Sequence, residues 1–475
     1  MKTPVMDALK KLVEEDSISF HFPGHKGRTT NIDWEKLMPM MDTTETRGMD
    51  NLLDPNGIIK ESQDEAAKVF GAKKTFYVPN GSTGSNYIAL SVVCQRGDKI
   101  LVQRNCHKSI YNSMILNDLR PVYVYPNFNN LYESTTGVRP EDIKDALDKD
   151  PDIKAVCLTS PNYYGICSDI EAIAKIVHDR GKILIVDEAH GPHIKFSERY
   201  PKSAIDSGAD LVIHSTHKTL PSITQTSMLH ICSDRIDINT VRDRFQLYTT
   251  TSPSYLFTVS NEMATAYMEV EGRNRLDDMY DYIVDLRKRL EAIDGVSVLQ
   301  KDPDDETIFD LDISRILIGL RGYKGTELMD ILYRDYNIRM EMNDYYSTLA
   351  MSTVMNTKED FEKLYEAVKD IAAREKRPAL EKLSIDMPRP TIAMSPAQAY
   401  FSKKKLVDLK DSIGKVVATS VIPYPPGVPL LATGELITKE LYDYLMFLLE
   451  NNINIVNLSE DKKQILVVED WKVIF

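Results

Sequence analysis

Seven short apolar runs set the frame of this chain. They are Thr75–Val78, Lys99–Gln103, Val122–Tyr125, Ala155–Leu158, Ile183–Val186, Leu211–Ile213 and Met228–Ile231. Helical patterns such as Ser85–Cys94 and Ile170–Asp179 separate them. Continuously apolar strands alternating with helices predict a mostly parallel seven-stranded sheet covered on both faces. In such sheets ligands bind at the carboxyl ends of the strands. The residues that follow each run are therefore the ones to read for chemistry.

Beyond residue 260 the pattern changes. Residues 260–292 read as a long helix with its charges on one side. Short strands and helices follow, including strand-like Thr307–Ile313 and Ile338–Met342 and a helix at Lys358–Ala373. Four prolines in Arg377–Pro396 mark a linker, and Val416–Ile422, Ile453–Leu458 and Gln464–Glu469 read as strands of a smaller α+β unit. A chain of 475 residues is too long for one core. The expected division is 1–50 as an N-terminal segment, 51–292 as the large domain, 293–385 as a small α+β domain and 386–475 as a C-terminal domain.

Composition excludes several function classes. The net charge of −13 argues against nucleic acid or anionic membranes as partners. No run of 18 apolar residues suggests a membrane helix. The first 16 residues lack the apolar core of a secretory signal. The five cysteines form no C-x-x-C pair, so a reduced cytoplasmic setting and no structural zinc are expected.

Three strand ends carry polar residues. The first run leads into Asn80-Gly-Ser-Thr-Gly-Ser85 and a helix. Small residues at a helix start expose backbone N–H groups to an anion, and Gly81, Ser82 and Thr83 suit a phosphate. An ordinary capped Gly/Ser turn would look the same in isolation. The fifth run ends in Asp187-Glu-Ala-His-Gly-Pro-His193. A carboxylate closing a buried strand needs a cationic partner, such as a pyridinium nitrogen. The Asp-Glu-Ala-His tetrapeptide also occurs in helicases, but no G-x-x-x-x-G-K-[ST] loop precedes it. A metal held by Asp187, His190 and His193 is a further alternative. The sixth run ends in His214-Ser-Thr-His-Lys218. Burial lowers a lysine pKa and makes the amine nucleophilic, although a strand-end lysine can equally reach water. Phosphate loop, strand-end Asp and strand-end Lys on one sheet form a combination more specific than any of them alone. Seven of the nine histidines also fall in four short segments: His21 and His25, His107, His190 and His193, and His214 and His217. Pro23 and Gly24 exclude a helical two-histidine zinc motif at His21 and His25.

These segments resemble the ornithine/lysine/arginine decarboxylases that use pyridoxal 5′-phosphate (PLP), of fold type I, the aspartate-aminotransferase superfamily. The resemblance runs through His21-Phe-Pro-Gly-His-Lys26, Asn105-Cys-His-Lys-Ser109, Asp187-Glu-Ala-His-Gly191, Ser215-Thr-His-Lys-Thr-Leu220 and Thr224-Gln-Thr-Ser227. It continues through Thr250-Thr-Ser-Pro253, Met394-Ser-Pro396 and Pro423-Tyr-Pro-Pro-Gly-Val-Pro429 with Gly434-Glu435. It implies a fold type I large domain with a smaller C-terminal α+β domain, in a short form without the wing domain of larger members.

The resemblance also implies roles. Lys218 would carry the cofactor as a Schiff base, and Asp187 would keep its ring nitrogen protonated. His107 would stack on one face of the ring and Ala189 would lie against the other. Gly81, Ser82, Thr83, Ser215 and His217 would hold the phosphate, and Ser252 would reach the phosphate of a neighbouring subunit. His190 would act in catalysis near the substrate. Glu45, Asp50, Tyr163 and Glu435 are the substrate-side residues, with Asp344 a further acid for a cationic side chain. The implied protein is a cytoplasmic homodimer with its active site at the interface, releasing carbon dioxide and an amine of polyamine biosynthesis. A different PLP reaction (aminotransferase, lyase or amino-acid oxidase) is the alternative. The absence of arginine between Val416 and Glu435, where an aminotransferase would clamp the substrate carboxylate, favours decarboxylation. A non-catalytic binding protein is disfavoured because Lys218, Asp187 and His107 are all present.

Overall fold

The computed structural model describes residues 14–15, 17–28, 42–129, 132, 134–301, 304–380, 388–423, 428–451 and 453–470. Its centre is a seven-stranded sheet. In chain order its strands are β1 (Lys74–Tyr77), β2 (Lys99–Gln103), β3 (Arg120–Val124), β4 (Ile153–Thr159), β5 (Ile183–Asp187), β6 (Leu211–His214) and β7 (Met228–Ile231). They lie in the order β1-β7-β6-β5-β4-β2-β3. Only β7 runs antiparallel to its neighbours. The apolar side chains of these strands are almost wholly removed from water, because helices cover both faces.

Three helices start at the carboxyl edge. Helix α1 (Gly81–Val93) follows β1 through a turn in which Gly81 takes φ +68°. A side chain is rarely tolerated in that conformation. Helix α2 (Lys108–Leu116) follows β2 and is capped by His107. The four-residue helix α3 (Thr216–Thr219) follows β6 and carries Lys218.

The expected long helix at 260–292 is interrupted. Tyr255–Tyr267 is α-helical, Met268–Gly272 forms a π turn, and Arg273–Glu291 resumes the α-helix. After it comes a four-stranded antiparallel sheet containing Val296–Val298, Arg315–Leu320, Ser347–Met351 and Met342–Asn343. The strand Ile18–Phe20 pairs in parallel with Ile338–Met340, and the segment after it reaches the end of β6, where the Gly24 N–H donates to the His217 carbonyl.

The strand expected at Thr307–Ile313 reduces to Asp310–Leu311, paired with Ile166–Cys167. The strand expected at Val416–Ile422 does not form as one ladder. Val416, Val417 and Val421 pair with Leu436, Val467 and Leu431, and Ile422–Pro423 pairs with Ile455–Val456. Its apolar residues face several short partners, so they fill a core without a continuous strand. Part of the proline-rich linker (381–387) and the Tyr-Pro-Pro-Gly segment (424–427) lie outside the described residues. No helix among the described residues is long and apolar enough to cross a membrane.

Candidate active site

Strand alternation aims the first group. Asp187 closes β5 opposite Ile213 of β6 and Thr159 of β4, and is 2% exposed. Asn86 Nδ2 donates to its Oδ2 at 3.0 Å and the Ala189 N–H donates to Oδ1 at 3.2 Å. Burial pushes the Asp187 carboxyl upward, opposed by the Asn86 hydrogen bond and the nearby Lys218 charge. A buried acceptor of this kind asks for a cationic N–H.

Lys218 lies in the same interior. Its Nζ is 3.0 Å from Nε2 of His190. Burial draws the amine down to about 8, with Asp187 pulling the other way. That raises the fraction of nucleophilic free amine near neutral pH. Burial also keeps His190 well below the usual histidine range, so its ring is neutral. His190 packs edge-on against Tyr163, with ring centroids 4.9 Å apart. The Phe22 ring centre is 5.9 Å from Lys218 Nζ and meets His217 edge-on at 6.2 Å.

His107 joins this group through hydrogen bonds. Its Nδ1 accepts from the Ser109 N–H at 3.2 Å and lies 2.8 Å from Ser109 Oγ. Asn86 Nδ2, the donor to Asp187, also donates to Ser109 Oγ at 2.9 Å. Burial holds His107 down to about 3, leaving a neutral flat ring.

Hydroxyl groups cluster at the start of α1. Ser82 Oγ is 2.6 Å from Ser215 Oγ and 3.2 Å from Ser227 Oγ, and Ser85 Oγ is 2.9 Å from Ser227 Oγ. A Cβ on Gly84 would stand 2.6 Å from the Asn80 side chain, so the turn is closely packed. Thr83 is exposed on this turn. His217 Nδ1 donates to Thr226 O at 2.9 Å. Backbone N–H groups, hydroxyls and a helix start suit a phosphate dianion. A buried amine, a buried carboxylate, a flat ring and this cradle together fit an aldehyde cofactor carrying a phosphate and a basic ring nitrogen.

Several sequence-named residues are engaged elsewhere. Asp50 is not open to a substrate. Its Oδ1 accepts from the N–H groups of Asn51 and Asn56, and its Oδ2 from those of Gly57, Ile59 and Lys60. The carboxylate thus caps the helix Ile58–Phe70. Glu435 is buried against Arg104, with Nη2 donating to Oε2 at 3.0 Å. Asp344 accepts from the Tyr346 and Ser347 N–H groups in a turn. Glu45 and Ser252 are exposed; Ser252 Oγ lies 3.3 Å from Thr250 Oγ1. Ala189 is buried beside Asp187. His193 pairs with Asp312 and Ser314, and among the described residues Asp187, His190 and His193 form no metal-binding group.

Other residues escaped the sequence reading. Asn86 and Ser109 connect Asp187 to His107. Arg315 is fully buried, and its Nη2 donates to the His190 carbonyl at 2.7 Å. Its signal was a charge opening the apolar run Arg315-Ile-Leu-Ile-Gly-Leu320. Glu341 Oε2 accepts from His21 Nδ1 at 2.7 Å and from the Phe22 N–H at 3.0 Å, fastening the loop that carries Phe22. Lys26 Nζ donates to the carbonyls of His21 and Met351 at 2.7 and 2.8 Å. No local pattern marks these last two as partners.

Comparison with known proteins decides the family. The family model for the Orn/Lys/Arg decarboxylase major domain matches residues 3–324, and that for the C-terminal domain matches 379–455. The chain belongs to the Orn/Lys/Arg decarboxylase family. Within that family it is 31% identical to the arginine decarboxylase of Bacillus subtilis (strain 168), over 94% of this chain and 93% of that one. It is 25% identical to the lysine decarboxylase LdcA of Pseudomonas aeruginosa, over 94% and 75%. The Francisella novicida lysine decarboxylase LdcF shares the fold, with a TM-score of 0.78 at 21% identity, covering 98% of this chain and 83% of that one. This Orn/Lys/Arg decarboxylase family member therefore has the fold type I architecture, with a mostly parallel seven-stranded sheet and a further C-terminal unit.

Proposed function

We propose that this enzyme decarboxylates arginine, using PLP attached at Lys218. The observation that carries the reading is the part-buried Lys218, whose Nζ meets His190 Nε2 at 3.0 Å and feels the charge of the buried Asp187 carboxylate. Arginine is preferred over lysine because the arginine decarboxylases of Bacillus subtilis and Halalkalibacterium halodurans are 31% and 32% identical to this chain, against 25% for lysine decarboxylase LdcA.

When bound, PLP supplies an electron sink for the pair released as carbon dioxide departs. The protein does the rest. Asp187 holds a proton on the ring nitrogen, with Asn86 fixing the carboxylate from the other side. His107 and Ala189 would be the residues that hold the ring. Ser82, Ser215, His217 and the N–H groups at Gly81 and Thr83 bind the phosphate. Lys218 would hold the cofactor, and its Nζ, 3.0 Å from His190 Nε2, would be the group placed to return a proton to Cα. Phe22 and Tyr163 wall the site and exclude water.

The division of labour follows the chain. Residues 51–292 form the cofactor domain, 1–50 lay the Phe22 loop over it, 293–385 supply Arg315 and Glu341, and 386–475 form the C-terminal domain. We place the enzyme in the cytoplasm as a homodimer in which Ser252 reaches the partner's phosphate site, and its amine product in polyamine synthesis.

The test is direct. The PLP-loaded protein is incubated separately with arginine, lysine and ornithine, and carbon dioxide and amine are both measured. Equal amounts of carbon dioxide and the arginine-derived amine support the proposal. Release from lysine or ornithine instead changes the substrate, and no release from any of them moves the assignment to another PLP reaction.

A further inference from the structure

Glu435 belongs to a buried polar cluster that the proposed reaction does not use. Arg104 and Glu435 are 2% and 1% exposed. Arg104 Nη2 donates to Glu435 Oε2 at 3.0 Å and to the Leu430 carbonyl at 3.2 Å. Glu435 Oε2 also accepts from the Ala432 N–H at 2.6 Å. The other guanidinium nitrogen, Nη1, donates to Tyr111 Oη. Tyr111 Oη in turn donates to the Arg104 carbonyl at 2.5 Å. The guanidinium also lies over the Tyr123 ring, 5.0 Å from its centre.

The position of this cluster is what gives it meaning. Arg104 follows the last residue of β2, and Tyr111 stands one turn into α2. His107 lies between them and caps α2. The Arg104–Tyr111 bonds close a short loop of chain whose apex is His107. Glu435 and Leu430 press on this loop from the C-terminal unit, more than 320 residues away along the chain. A pair of buried charges is a poor stabiliser compared with apolar packing, but it is strict about geometry. Removing one partner leaves the other charge buried and free to pull its segment elsewhere.

We infer that the Arg104–Glu435 pair is a positioning device through which the C-terminal unit fixes His107 over the cofactor ring. Glu435 is thus a positioning residue and not a substrate ligand. The inference rests on the proposed use of PLP, but not on which amino acid is decarboxylated.

The experiment uses the full chain and reads cofactor binding. Glu435→Gln keeps the shape and removes the charge. It is compared with His107→Ala and with the double variant, measuring the PLP dissociation constant, the visible circular dichroism of bound PLP and thermal unfolding without PLP. We expect Glu435→Gln to raise the dissociation constant about tenfold and to weaken the dichroic band, because both report how the ring is held. In the His107→Ala background the same change should alter the constant less than twofold, since its target is gone. Equal effects in both backgrounds overturn the proposal, and so does an unchanged constant and band in a folded Glu435→Gln protein. Should that variant fail to fold, Tyr111→Phe, which removes one hydroxyl and keeps the charges, is read by the same criteria. Absence of PLP binding by the unaltered protein would instead refute the proposed function.

Discussion

Nζ of Lys218 and Nε2 of His190 stand 3.0 Å apart, although the residues come from different strand-end loops. Arg315 holds the His190 carbonyl from behind. The contact brings an amine and a neutral imidazole together in a site that Phe22 and Tyr163 border.

The Lys218 amine should react with PLP at an unusually low pH. Burial lowers it to about 8, and the neutral amine is the nucleophile. PLP uptake by the cofactor-free protein should therefore rise through about pH 8 and level off above it. An ordinary lysine, near 10.4, would still be climbing there. Stopped-flow absorbance across pH 6.5–10 checks this. Lys218→Ala should abolish the lysine-linked absorbance band; a retained band would place the attachment elsewhere.

Asp187→Ala should impair turnover more than cofactor retention. In the proposed role the carboxylate would hold the ring nitrogen protonated, and removing a buried electrostatic partner of this kind costs on the order of 10²-fold or more in kcat. Steady-state rates beside PLP content measured on the same preparation decide the matter. Near-normal kcat would refute the assigned role.

Gly24→Ala should disturb the loop over the site. A Cβ at this position would lie 2.3 Å from the Leu220 carbonyl oxygen and 3.0 Å from the Thr219 carbonyl carbon. Both are backbone atoms next to Lys218, and the Gly24 N–H donates to His217 O at 2.6 Å. Overpacking of this sort costs about 1–3 kcal/mol. We expect a melting temperature lower by several degrees and a kcat/KM reduced about tenfold. A variant that matches the unaltered protein in both would show that the loop does not dock on Lys218's helix in solution.

Glu188 should make stability depend on pH. On the face of the sheet opposite Asp187, Thr75 Oγ1, His230, His214 and Glu188 form one buried line, with separations of 2.8, 3.0 and 2.7 Å. Burial pushes the Glu188 carboxyl up to about 8 from its usual 4.5. Folding therefore favours the protonated acid. Its contribution is complete below about pH 4.5 and is lost as pH rises through about 8. Glu188→Gln keeps a neutral group there, so its melting temperature should gain on that of the unaltered protein between pH 5 and pH 8.5. The same offset at both pH values would contradict this.

Much of the site was readable because it is local. A strand exposes its last side chain in a fixed direction, and a loop of small residues before a helix presents N–H groups. Asp187, Lys218 and the Gly81–Ser82 turn are of this type, whereas the role expected of His107 came from the family resemblance. Asp50 was misread because an acid bonded to five backbone N–H groups looks, in sequence, like any surface acid. Glu435 was misread because its partner is Arg104, far away in the chain. The apolar Val416–Ile422 run predicts a strand that does not form as one ladder, since apolarity reports burial and not which backbone partners are near.

Sequence alone determined the strand-and-helix alternation, the family resemblance and the identity of the strand-end residues, since periodicity and short motifs are properties of neighbouring residues. Tertiary structure decided that Asn86 bridges Asp187 and Ser109, that Arg315 and Glu341 brace the site, and that Glu435 meets Arg104. Those pairings depend on how distant segments cross in space, and burial then shifts the protonation of Lys218, His190 and Glu188 by removing water that the sequence cannot reveal.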